Sequence, residues 1–171
     1  GIPLGKLVDA VSKMNTGAKY GSNAFSKSVG LNGVGTKAVN ATSSYFYIQS
    51  FRDGESAWAE FSQGNLVKSG NCTTTEKNGT LVRFTPDEDM FGDFAYNMEY
   101  VEAMVKNFTY LKRGLTINLN GTSYRSDNGL LDLVKDNMSE TPLYEPVHII
   151  GDDIEVVITH GNSYGENIAS F

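Results

Sequence analysis

The 171-residue sequence predicts an α+β fold, a two-layer sandwich of a mostly antiparallel sheet with helices segregated to one face. Three observations carry this expectation. Apolar residues recur at helical spacing near the start, the centre and the later part of the chain, as in Leu4, Leu7, Val8 and Val11. Between those stretches the pattern switches to period two, above all in residues 45–51. Hairpin signals, Arg52-Asp53-Gly54-Glu55 and Asn120-Gly121, join consecutive strands and so make neighbours antiparallel.

Taken in order, Pro3 starts a helix that carries Leu4, Leu7, Val8, Val11 and Met14. Residues 15–29 lose that periodicity, fill with Gly, Ser, Asn and Lys, and read as a long mobile loop. Gly30-Leu31-Asn32-Gly33-Val34-Gly35 leads into an amphipathic stretch with Val34, Ala38, Val39 and Ala41. Tyr45, Tyr47, Gln49 and Phe51 then alternate with Phe46, Ile48 and Ser50 as a strand, and residues 57–61 continue as its hairpin partner. Residues 68–79 are polar and read as turns, and residues 80–84 form a further strand ending at Pro86. Met98, Val101, Val105, Phe108 and Leu111 make a helix closed by Lys112, Arg113 and Gly114. Residues 115–119 and 122–124 pair around Asn120-Gly121. Leu130, Leu131, Val134 and Met138 give a last helix, capped near Asp127 or Asn128. Residues 147–150 and 154–159 read as two strands about Gly151-Asp152-Asp153, and the Pro142–Pro146 segment is the expected domain boundary.

Composition narrows the function classes. Hydrophobic residues at 40% and charged residues at 20% are enough to fill a core. The net charge of -6 argues against direct DNA contact by this segment, because a DNA-gripping surface is basic. The single cysteine, Cys72, excludes an internal disulfide and a cysteine-rich zinc site, and reads as an inert thiol in a loop. No apolar run approaches the ~20 residues of a membrane span, and no secretory signal opens the sequence, so a cytoplasmic location is expected. Six Asn-x-Ser/Thr sequons, at Asn40, Asn71, Asn78, Asn107, Asn120 and Asn137, fit chance in an Asn/Ser/Thr-rich composition. They are the only support for a secreted binding protein. The opening Gly-Ile-Pro without an initiator Met reads as a fragment.

The sharpest local feature is Gly30-x-x-Gly33-x-Gly35-Thr36-Lys37 at the mouth of a helix. Glycines let backbone amides approach a ligand closely, and a helix N-terminus carries about half a positive charge. Together they suit a phosphate. The order Gly-Thr-Lys is not that of a P-loop, and no clean strand precedes it as a dinucleotide fingerprint requires. From the residues alone, a phosphate site and a ligand-free helix-entry turn stand equal. Lys19 and Lys27 lie upstream in the loop, where a cation could close over phosphates. His148 and His160 have no ligand-spaced partners, and Asp87, Glu88, Asp89 and Asp93 read as a solvated helix entry. No Ser/His/Asp or Cys/His signature is present.

Several stretches then agree, in order, with one family. The run from Ser28 through Gly30-Leu31-Asn32-Gly33-Val34-Gly35-Thr36-Lys37 to Asn40 resembles the ATP-lid motif of the GHKL superfamily, and within it the ATPase subunits of bacterial type II DNA topoisomerases. Gly1-Ile2-Pro3 resembles the tail of that family's Asp-x-Gly-Arg-Gly-Ile-Pro motif, and Thr16-Gly17-Ala18-Lys19-Tyr20 the segment that opens the lid. Arg52-Asp53-Gly54, Gly79-Thr80-Leu81-Val82-Arg83-Phe84 and Leu111-Lys112-Arg113-Gly114-Leu115-Thr116-Ile117 also fall in place. Tyr164-Gly165-Glu166-Asn167-Ile168-Ala169-Ser170-Phe171 is similar to a run early in the transducer domain. The lid variant is closer to topoisomerase IV than to gyrase.

The resemblance implies a GHKL ATPase fold, incomplete at its N-terminus, over residues 1–141, and the first transducer strands over residues 142–171. It implies an adenine pocket lined by Ile2, Pro3, Thr80 and Val82, with Thr80 also helping to fix a water beside the base. It implies a triphosphate cradle of backbone amides from Gly30, Leu31, Asn32, Gly33, Val34 and Gly35, with Thr36. Lys19 would add a phosphate-directed cation and Arg52 would stand at the pocket's rim. Phe25 takes the place of a Tyr, which implies a ring contact without its hydrogen bond. The family's general base, Mg²⁺ ligand and adenine-reading Asp would precede Gly1, and its γ-phosphate-sensing Lys would follow Phe171. Implied partners are ATP with Mg²⁺, DNA through other domains, the topoisomerase A subunit, and a second copy on ATP binding, with no membrane. The fragment alone would carry no catalytic residue and would not hydrolyse ATP. The alternative within the superfamily is a chaperone, histidine kinase or mismatch-repair module; the transducer-like run speaks against it.

Overall fold

The computed structural model of the chain describes residues 2–14, 16 and 33–171. Contacts divide it into two compact units, Gly1–Ala95 and Tyr96–Phe171.

The first unit begins with a 3₁₀ turn, Leu4–Lys6, which runs into helix α1, Leu7–Ser12. Helix α2, Gly35–Ala41, precedes four strands: β1 (Ser43–Arg52), β2 (Glu55–Ser62), β3 (Asn65–Thr73) and β4 (Gly79–Pro86). They form one antiparallel sheet in the order β3-β2-β1-β4. The alternation of β1 decides which face is covered. Phe46, Ile48 and Ser50 are fully buried, opposite Phe61, Ala59 and Ala57 of β2. Leu7 and Val11 of α1 complete this core, with Ile2, Leu4 and Val8 packed at its edge. Phe46 and Phe61 meet edge to face at 6.1 Å, a favoured aromatic geometry. The expected sheet with helices on one face is therefore what forms.

Two expectations need correction here. Residues 68–79 are not all turn, because β3 runs to Thr73 and Cys72 sits exposed on that strand. As an edge strand open on both faces, β3 has nothing to hide and shows no alternation. Its Gly70 lies under the Trp58 indole, where an added Cβ would stand 3.0 Å from the ring. The acidic cluster, second, is not simply solvated. Asp87 is buried, accepts a hydrogen bond from the Asp89 amide at 3.0 Å, and caps a short helix α3, Glu88–Phe91.

The second unit holds helix α4 (Met98–Leu111), the hairpin β5 (Thr116–Leu119) and β6 (Thr122–Arg125), helix α5 (Leu130–Asn137), and the hairpin β7 (Val147–Ile150) and β8 (Glu155–Ile158). Asn97 caps α4 by accepting from the Glu99 amide at 3.0 Å. The β5–β6 turn places Asn120 at φ 49° and Gly121 at φ 89°, the geometry Asn-Gly adopts most readily. The cap of α5 is Gly129 (φ 65°), not Asp127 or Asn128. The carboxylate that gathers this helix start is Asp132, which accepts from Ser126 Oγ at 2.7 Å and from the Asn128 side chain at 3.0 Å. Tyr110 of α4 donates to Asp136 of α5 at 2.5 Å.

Candidate functional site

The residues expected to hold a nucleotide fall into two groups on the helix-bearing side of the first unit, with Arg52 at the rim. Lys19, Phe25, Gly30, Leu31 and Asn32 lie outside the described residues, as does the expected mobile loop apart from Thr16.

The first group is a wall beside the core. Pro3, with φ −59° and ψ 132°, starts the 3₁₀ turn and fixes the entry of α1. The carbonyl of Ile2 accepts a hydrogen bond from Ser50 Oγ at 2.7 Å. Ser50 in turn stands opposite Thr80 in the β1–β4 register, and Ile48 opposite Val82. Directly opposed residues share a face, so Ile2, Ser50, Thr80 and Val82 are neighbours on one surface. That surface is dry at Ile48 and Ser50 but open at the sheet edge, where Val82 is 43% exposed. A half-open apolar wall with a Thr hydroxyl beside it can take a flat heteroaromatic ring and one hydrogen bond.

The second group is the mouth of α2. Gly33 adopts φ 58°, a left-handed conformation that glycine enters at little cost. Val34 follows at the N-cap and offers no side-chain acceptor, so the first amides of the helix receive no cap from it. Gly35 opens the helix and Thr36 is exposed. Lys37, half-buried one turn on, folds back to donate to the Gly33 carbonyl at 2.5 Å. A cation and a helix N-terminus carry the same sign, so this mouth favours an anion.

Arg52 is exposed at the end of β1, where Phe51 pairs with Gly79 at the start of β4, the same sheet end as Thr80. Its Nε lies 3.5 Å from the Asp53 carboxylate. The Asn78 amide donates to the Asp53 carboxylate at 3.0 Å and, with Arg52, holds it below the usual carboxylate range.

Sequence reasoning missed two residues that organise this site. Ser50 was readable, since a hydroxyl in the buried phase of a strand needs a partner. Asn40 stands out in the sequence only as a sequon and as the end of the lid run, yet it is 1% exposed and donates from Nδ2 to the Val11 carbonyl at 2.9 Å. Among the described residues no group of three or more His, Cys, Asp or Glu could hold a metal ion, and no helix is long and apolar enough to cross a membrane.

An antiparallel sheet bearing α1 and α2 on one face, with a glycine-mouthed helix beside a half-open wall, matches the fold of GHKL ATPase domains. The chain superposes on the crystal structure of the 43K ATPase domain of Thermus thermophilus gyrase B in complex with an aminocoumarin, with a TM-score of 0.63 and 25% identity over 74% of this chain and 38% of that one. Its homologues are the B subunits of type II DNA topoisomerases, to which it is similar along its whole length. It is 44% identical to the B subunit of DNA topoisomerase 4 from Borreliella burgdorferi over 100% of its own residues. It is 31% identical to the B subunit of DNA gyrase from Archaeoglobus fulgidus over 98%, and 30% identical to that of Streptococcus pyogenes over 92%. The chain spans 29% of the length of the first two relatives and 27% of the third. No family model matches it.

Proposed function

We propose that these residues are the part of a type II topoisomerase B subunit that grips ATP, in a protein that changes DNA topology by ATP-dependent double-strand passage. The observation that carries the reading is the pairing of the α2 mouth with the Ile2–Thr80–Val82 wall on one sheet face, in a chain 44% identical throughout to a topoisomerase 4 B subunit. The adenine lies on the wall, with Ile2, Pro3 and Val82 against the ring and Thr80 beside it. Backbone amides of residues 30–35 and Thr36 take the phosphates, Lys19 adds charge, Phe25 makes a ring contact with the nucleotide, and Arg52 stands at the rim. No catalytic residue is assigned within the chain. Mg²⁺ accompanies the ATP, and within these residues the grip is carried by backbone amides and Lys19.

Residues 142–171 are proposed as the start of the transducer domain and residues 1–141 as the ATPase domain, a boundary that rests on the family resemblance and differs from the division of contacts at Ala95. DNA is met through other parts of the protein, in keeping with the net charge of -6 here. The A subunit and a second copy of this protein on ATP binding are the proposed partners, and the cytoplasm the proposed location. The higher identity to a topoisomerase 4 relative than to the two gyrase relatives favours the topoisomerase IV branch.

The test is nucleotide binding in the full-length protein with and without Gly33→Val. A β-branched residue at φ 58° disfavours the helix entry. ATP affinity is expected to fall about tenfold or more, as when an anion loses several aligned amides. Unchanged affinity in a folded variant would remove the α2 mouth from the site. A holoenzyme that decatenates DNA but does not supercoil it would place the protein on the topoisomerase IV branch.

A further inference from the structure

We propose that Asn40 is a positioning residue that keeps the two walls of the nucleotide site in register, a reading that rests on the assignment of ATP to this site. The adenine wall begins at Ile2 and Pro3, just ahead of α1, and the phosphate cradle opens at the mouth of α2. What ties α1 to α2 therefore sets the distance a nucleotide must span.

Helix α2 has only seven residues, too few to hold itself in place, and among them Asn40 alone is buried. No apolar side chain of α2 is buried, so hydrogen bonds place it. The last carbonyls of α1 lack donors within the helix. Asp9's is taken by the Lys13 amide at 3.0 Å and by Thr16 Oγ1 at 2.7 Å. Val11's is taken by Asn40 Nδ2, across 29 residues of sequence. The backbone carbonyl of Asn40 then accepts from the Gly64 amide at 3.1 Å, in the β2–β3 turn. Next to it, the Gln63 amide donates to the Ser43 carbonyl at 2.8 Å and the Asp87 amide to the Thr42 carbonyl at 3.0 Å. One residue thus fixes the C-terminal end of α2 to α1 and to the sheet at once.

The other half of the side chain sharpens the point. Asn40 Oδ1 is buried and has no hydrogen-bond partner among the described residues. An unsatisfied buried acceptor is a cost that an apolar residue of similar volume, such as Leu, would not carry. Leu would fill the space but could not donate to Val11. Apolar contacts such as that of Val11 with the core are non-directional and do not define a rotation, whereas the hydrogen bond that Asn40 Nδ2 donates to the Val11 carbonyl does.

The test separates positioning from stability. In the full-length protein, association constants for ATP, adenosine and inorganic tripolyphosphate are measured for wild type, Asn40→Ala, Asn40→Asp and Asn40→Ser, at a temperature where circular dichroism shows each variant used to be fully folded. The readout is the ATP constant divided by the product of the other two. Loss of register is expected to lower this ratio about tenfold or more, because two half-sites then no longer act as one. Adenosine alone is expected to change less than about twofold, since its wall is held by Ser50. A ratio equal to wild type in any folded variant, with all three ligands weakened alike or none, would overturn the proposal. If wild type binds no ATP, the assignment of ATP fails first and the role of Asn40 falls with it.

Discussion

A hydroxyl in the buried phase of a strand does much to fix the site's first wall. Ser50 is fully buried, and its hydrogen bond to the Ile2 carbonyl joins the chain's first described residue to the middle of the sheet. Ser50→Ala is expected to cost about 1 kcal/mol of unfolding free energy, the usual worth of one such bond, measured by urea denaturation. ATP affinity should fall with it while tripolyphosphate affinity holds. In the second unit, burial and then the bonded Asp136 carboxylate push the Tyr110 phenol up to about 12 from an ordinary 10.0. A group whose folded pKa is raised gives stability that is complete below its unfolded pKa and lost as pH climbs through the folded one. Stability of this unit is therefore expected to decline between pH 10 and about 12. Tyr110→Phe should flatten that dependence, and absorbance titration at alkaline pH should show a late-ionising tyrosine that the variant lacks.

At the scale of elements, most of the first unit was legible. Period two in β1 and β2, and the helical spacing behind Pro3, come from side chains that must hide on one face. The sequence therefore displays the face they share. What escaped lacks that constraint. β3 is exposed on both sides, α3 spans four residues, and α5 starts at a glycine in a left-handed conformation rather than at an Asx cap. The candidate site was legible unevenly, for the same reason. Gly33, Gly35 and Thr36 stand out because a tight helix mouth needs them. Thr80 and Val82 came only through the family resemblance, since nothing in their spacing distinguishes a pocket wall from an ordinary strand. The buried role of Asn40 is invisible in sequence because an asparagine in a short helix ordinarily faces water. Gly33→Val, with its expected loss of about tenfold or more in ATP affinity, tests the helix mouth as an element, and Asn40→Ala tests its mounting.

At the scale of the whole molecule, the two groups of site residues sit within one compact unit, while the acidic net charge leaves DNA to other parts of the protein. On the proposed reading, this chain is an exchangeable ATP-gripping segment of a type II topoisomerase B subunit. The most direct test replaces the aligned segment of the Borreliella burgdorferi DNA topoisomerase 4 B subunit with these 171 residues, which match it over 100% of their length. ATP-dependent decatenation by the chimera, assembled with its A subunit, is then measured with and without Gly33→Val. Retained activity that Gly33→Val abolishes is the predicted result. A folded chimera without ATP-dependent activity, or one indifferent to Gly33→Val, would contradict the account.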